Sequence, residues 1–151
     1  MRAAAGAALI PMIRAVHMGL AALLIALPGA AQAWRAVNGH EVQALGGGVY
    51  EVVGRVGSGA QDYWCGIGDY ATAVLGVPAA QRIYIWRPVG PSAVRPGRKA
   101  VHFALSPPPG ADTTTGYSLT VRRAGDNLST AMARQYCYGN RFDELPWRLW
   151  P

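Results

Sequence analysis

Two hydrophobic rhythms alternate along the chain, and each predicts a different kind of element. The run Val49-Tyr50-Glu51-Val52-Val53 is rich in β-formers and follows the turn signal Gly46-Gly47-Gly48, so it predicts a strand. From Tyr63 the period changes: Tyr63, Ile67, Tyr70 and Val74 recur at helical spacing, with Trp64, Ala71 and Leu75 beside them. Ser58 and Gln61 fit a capping box, and Asp62 places a negative charge in the first turn, where the helix dipole favours it. Gly76 and Pro78 stop the pattern. The prediction is an amphipathic helix over 59–75, despite the helix-weakening Gly66 and Gly68. Cys65 lies off the centre of the apolar stripe, which suits a bond to a neighbouring helix.

Three further strands are expected. Over 82–86, Ile83 and Ile85 take one face and Tyr84 and Trp86 the other. Over 101–105, Val101, Phe103 and Leu105 point inward, leaving His102 toward solvent. Over 117–121, Ser118 and Thr120 point outward. Pro- and Gly-rich loops separate these strands, and 107–116 reads as a mobile tip. A second helix over 130–138 follows a cap-rich entry at Asp126-Asn127-Leu128-Ser129, with Leu128, Ala131, Met132 and Gln135 sharing one side and Cys137 nearly opposite. Gly139-Asn140 ends it. The order β, α, β, β, β, α predicts an α+β fold: an antiparallel sheet of about four strands with two helices on one face, tied by one disulfide.

The front of the chain changes the picture. Over 12–33 a short basic start at Arg14 leads into an apolar run, a Pro28-Gly29 break and Ala31-Gln32-Ala33. That is the layout of a secretory signal peptide cleaved before Trp34. Its apolar run, about nine residues, is too short to span the roughly 30 Å of a bilayer core. No lipoprotein cysteine and no twin-arginine pair accompany it. Met1–Pro11 adds nothing the signal needs, so Met12 stands as an alternative start. The expectation is a cleaved signal over 1–33 and one small domain over 34–151 with a Trp-rich tail, in the periplasm or secreted, with no transmembrane segment.

Composition supports a folded domain. The 151 residues are 51% apolar and 15% charged, with five Trp and seven Tyr, which argues against disorder. The net charge is +6, and removing the signal takes Arg2 and Arg14 with it, leaving +4. Nucleic acid is a poor partner outside the cytoplasm, so that charge points to an anionic envelope component or an envelope protein. Cys65 and Cys137 are the only cysteines, and an even count in an exported chain predicts a disulfide. It would close a loop of about 73 residues, worth about 4 kcal/mol in the chain-entropy model.

Candidate chemistry is sparse. Cys65 near the start of a helix and His102 on a later strand, with Asp69 or Asp126 to orient the ring, would make a cysteine hydrolase. That order resembles the cell-wall peptidases of the NlpC/P60 kind, but their Asp-Cys-Ser-Gly-type segment is absent, and Cys137 offers a bond that would abolish the nucleophile. His40 and His102 have no carboxylate at ligand spacing, so no metal or cofactor is expected. No G-x-S-x-G elbow supports serine catalysis. The binding candidates are Arg95, Arg98 and Lys99, with Arg122-Arg123 nearby, followed by Tyr84 and Trp86, which the tail residues Trp147 and Trp150 would either cover or extend.

The stretches Ser58-Gly-Ala-Gln-Asp-Tyr-Trp-Cys-Gly-Ile-Gly-Asp-Tyr70 and Asp126-Asn-Leu-Ser-Thr-Ala-Met-Ala-Arg-Gln-Tyr-Cys137 resemble a group of small exported proteins of alphaproteobacteria with two Cys-containing helices. The resemblance covers most of the mature chain and implies an envelope setting. It carries over no functional residue. The sequence thus points to an exported, non-enzymatic binding module, with association through the Trp tail as a further option.

Overall fold

The computed structural model describes residues 33–139; the expected signal through Gln32 and the Trp147–Trp150 tail lie outside these residues. The elements in order are β1 (Trp34–Arg35), β2 (Glu41–Gly46), β3 (Val49–Val53), α1 (Ala60–Ala73), β4 (Arg82–Pro91), β5 (Lys99–Ala104), β6 (Asn127–Ser129) and α2 (Thr130–Gln135). They form one antiparallel sheet in the order β1-β2-β3-β5-β4-β6. The α+β class and its antiparallel sheet hold, with six strands rather than about four. The three extra strands, β1, β2 and β6, are peripheral ones. In β2 the single deeply buried residue is Val42, so its sequence carries too little hydrophobic rhythm to announce it.

Period-2 alternation builds the core. Val42, Val52 and Val101 form one row across three strands, and Ile85 sits opposite Phe103 in the next pair; all five are fully buried. Onto this face α1 places Trp64, Ile67 and Ala71, with Trp64 tilted against Phe103 at 4.9 Å between ring centroids. The indole N–H of Trp64 donates to the Thr120 carbonyl at 3.0 Å, so the polar end of a buried ring is satisfied.

The two glycines that weaken α1 as an isolated helix are its contact points. A Cβ on Gly66 would lie 2.8 Å from Val52 Cγ1, and one on Gly68 would lie 2.4 Å from the Arg134 backbone nitrogen. One glycine lets the helix sit on the sheet and the other lets α2 cross it. Each costs about 1 kcal/mol of helix propensity. The Cys65–Cys137 disulfide holds the same helix pair together, with Cα atoms 4.8 Å apart.

Four local expectations need correction. The cap of α1 is Gly59, and Asp62, not Gln61, closes the first turn by accepting the Gly59 N–H at 2.8 Å. The helix ends at Ala73, two residues short of Leu75. The segment 117–121 is not a strand: Tyr117 is wholly exposed, and the Val89 N–H to Val121 carbonyl bond is its one backbone link to the sheet. Side chains shape that region instead. Arg123 donates to Asp112, Thr114 and Asp126, and Asn127 donates to the Thr113 carbonyl. Finally, α2 buries Thr130 and Ala133 while Ala131, Met132 and Gln135 face out. A close crossing at Gly68 selects a small residue, so the larger apolar Met132 marks the wrong face.

Candidate functional site

The site begins with an alternation that sends one charge the wrong way. Tyr50 and Val52 turn toward α1, so Glu51 between them points to the opposite face, in the middle of the sheet and opposite His102 on β5. Glu51 is nevertheless fully buried. Two register irregularities in β4, between Ile85 and Arg87 and between Arg87 and Gly90, add twist to the strand that leads into the β4–β5 turn. That turn, 92–98, covers Glu51.

Four donors converge on the carboxylate: Ser92 Oγ at 2.5 Å, the Ala93 N–H at 2.8 Å, the Val94 N–H at 3.4 Å and His102 Nε2 at 2.8 Å. Burial, the largest single influence, pushes the pKa of this carboxyl up. The donors together outweigh it and hold Glu51 below its ordinary value of 4.5, ionised at neutral pH. Ser92 Oγ also accepts the Arg95 N–H at 2.9 Å, and the Ser92 N–H reaches the Arg98 carbonyl at 2.9 Å. The turn is therefore stapled from below.

What the staple displays is positive charge. Arg95 donates to Glu41 at 2.8 Å, with Arg35 3.8 Å from the other oxygen of the same carboxylate. Arg98 donates through two nitrogens to the Gly54 carbonyl at 3.0 and 2.7 Å. With Arg55 from the loop after β3, these side chains line a cleft of 190 Å³. Four guanidinium groups meet one carboxylate there. Among the described residues neither Arg55 nor Arg98 has a carboxylate partner. A planar guanidinium presents its N–H groups as a fork that matches phosphate and carboxylate oxygens, which is the chemistry this cleft displays.

Of the residues singled out from the sequence, Arg95 and Arg98 come together here. Lys99 instead lines a neighbouring cleft with Arg122, and Arg123 is consumed by Asp112 and Asp126. Tyr84 and Trp86 are half-buried on β4 and do not line the arginine cleft. Arg35, Arg55, Glu41 and Glu51 carry no local signal that marks them as part of a site. Their partners lie far off along the chain, and each alone reads as a solvated charge.

Cys65 and His102 do not meet. Cys65 is bonded to Cys137 and buried with α1, whereas Val101 and Phe103 occupy that side of β5 and send His102 to the other, onto Glu51. His102 is therefore buried and not solvent-facing as its alternation suggested. Asp69 accepts the Val37 N–H at 2.9 Å and Asp126 pairs with Arg123, so neither orients that imidazole. Ser92, Glu51 and His102 form no relay either, because serine and histidine both bond the carboxylate and not each other. Among the described residues no helix is long and apolar enough to cross a membrane.

Fold and site together define a small disulfide-tied α+β protein with a guanidinium-lined cleft. No family model, no curated protein and no solved structure matches this chain.

Proposed function

We propose that this chain is an exported binding module of the bacterial cell envelope, and that its arginine cleft takes a phosphate-bearing anionic component. The observation that carries the reading is the convergence of Arg35, Arg55, Arg95 and Arg98 around the single carboxylate of Glu41. The signal-like front of the sequence, the disulfide and the resemblance to exported alphaproteobacterial proteins support the setting. Glu41 holds Arg95 and lies 3.8 Å from Arg35, and among the described residues Arg55 and Arg98 supply N–H groups without a competing carboxylate.

Binding to vesicles containing phosphatidylglycerol tests this. The exported protein is expected to bind them, to ignore vesicles of neutral lipid, and to release as salt rises. Arg55→Ala should weaken binding about tenfold to a hundredfold, since one charge-assisted hydrogen bond is worth roughly 1.5–3 kcal/mol. Lys99→Ala, in the neighbouring cleft, should weaken it less. Equal binding by wild type and Arg55→Ala would place the anion elsewhere, and no binding to anionic vesicles would remove the reading.

A further inference from the structure

Beside the arginine cleft, Ser58 on the loop between β3 and α1 meets His40, which immediately precedes β2, and binding uses neither. Ser58 Oγ lies 2.6 Å from His40 Nε2 and also accepts the Arg55 N–H at 2.8 Å. With one lone pair held by that amide, the hydroxyl proton is free to lie along the line to His40, and a second lone pair remains for a substrate. His40 is 4% exposed and is packed edge-on against Tyr63, so the ring is held in position. Its Nδ1 is buried with no hydrogen-bond partner among the described residues.

Ser58 opens on the neighbouring cleft, a 430 Å³ space it shares with Ala60, Tyr63, Lys99, Thr120 and Arg122. Two residues further on α1 begins; the Asp62 amide already donates to the Gly59 carbonyl at 3.2 Å and the Gly59 amide to the Asp62 carboxylate at 2.8 Å, leaving the Ala60 and Gln61 amides of the first turn without an intrahelical acceptor. A nucleophile with a base behind it, two helix amides and two cations for substrate thus meet at one cleft. We propose that Ser58 and His40 are a nucleophile–base pair that hydrolyses carboxylic esters bearing a negative charge.

The step balances without a further co-reactant except water. Ser58 Oγ attacks the ester carbonyl carbon as its proton passes to His40 Nε2. The bond from carbon to the alcohol oxygen then breaks, and the departing alcohol takes the proton from His40. Water, giving a proton to the same nitrogen, attacks the acyl-serine, and the carboxylic acid leaves with Ser58 restored. The surroundings of His40 suit both halves. Burial, the largest influence, lowers its basicity and keeps the resting ring neutral, while the Asp62 charge and the Asn38 backbone favour the cation that the attack creates; the charges of Arg55 and Arg98 oppose it. Lys99 and Arg122 select a substrate with an anionic group near the ester.

The test is covalent labelling of the exported protein with a fluorophosphonate, which loses fluoride to an activated serine. The adduct is expected on Ser58 and to vanish in Ser58→Ala. His40→Gln, close in size and able to hydrogen-bond Ser58, should slow labelling about a hundredfold or more, the usual range for loss of a general base. If that variant does not fold, the wild-type pH profile decides instead: labelling should rise through one titration below pH 6.5, the ordinary histidine value that His40 falls beneath. The p-nitrophenyl hemisuccinate should turn over faster than the acetate, with the preference lost in Lys99→Ala. No adduct on Ser58, or a pH-independent rate, would leave the pair as a turn-forming contact only and overturn the proposal.

Discussion

Glu51→Ala should lower the stability of the protein by about 3–5 kcal/mol, the range found when one partner of a buried charged network is removed. The variant takes their acceptor from the Ser92 hydroxyl, the Ala93 amide and the buried His102 Nε2, and leaves the Val94 amide with Ser92 Oγ alone. For a domain near this size each kcal/mol moves the thermal midpoint by about 4 °C or more, so a fall of at least 12 °C is expected. The turn that carries Arg95 and Arg98 loses its staple as well, so anion binding should weaken together with stability. Glu51→Gln keeps the volume and one acceptor but points an NH2 group at donors, and should fall between wild type and alanine. Thermal melts with vesicle binding on the same samples check both parts. A midpoint within 3 °C of wild type would mean that the turn stands without the carboxylate.

The same residue sets an acid limit. Glu51 titrates below its ordinary value in the folded protein, so its contribution is present above pH 4.5 and is lost as pH falls through the folded value. His40 acts with the same sign but begins earlier: the fold favours its neutral ring, so stability declines as pH drops below 6.5. Melts between pH 7 and 3 should therefore show two successive losses. The lower one should flatten in Glu51→Gln, and an unchanged slope there would assign the acid sensitivity to other carboxylates.

The second large effect is expected from the disulfide. Replacing Cys65 and Cys137 with serine should cost about 2–5 kcal/mol, with about 4 from loop closure alone across 72 positions. The damage should be local. A helix of six residues such as α2 has no independent stability; it is held by Cys137 behind its last turn, by Thr130, whose hydroxyl donates to the Gln81 carbonyl at 3.0 Å, and by the crossing at Gly68. Without the bond, amide exchange should rise first over 130–138 while β3 and β5 stay protected. Uniform loss of protection across sheet and helix would show that the bond supports the whole domain and not one corner of it.

The legible parts of this molecule are those whose information is local. Val49–Val53, Ile83 with Ile85, and the stripe from Tyr63 to Ala71 carry their burial in their own spacing, and they became β3, the start of β4 and α1. The cysteine pair was legible because only two candidates existed. What failed depends on distant partners. His102 and Glu51 look like outward strand positions until a turn 41 residues beyond Glu51 folds over them. The segment 117–121 alternates like a strand, yet β6 pairs with Arg82–Tyr84 and Arg123 gathers the chain before it into a loop. In the candidate cleft only Arg95 and Arg98, three residues apart, could be seen as a group. Arg35 and Arg55 join them through the pairing of β1 with β2 and of β2 with β3.

The strand order also governs how the sheet meets other extended chains. The longest strand, β4, and the charged centre at β3 and β5 lie inside the sheet, whereas its two borders among the described residues are its shortest members, β1 with two residues and β6 with three. A neighbouring extended chain would find only a few free backbone groups on either border before the ladder ran out. Short margins of this kind starve edge-to-edge growth, the route by which exposed sheets seed aggregates. Borders that offer so little to copy keep one molecule's sheet from templating the next.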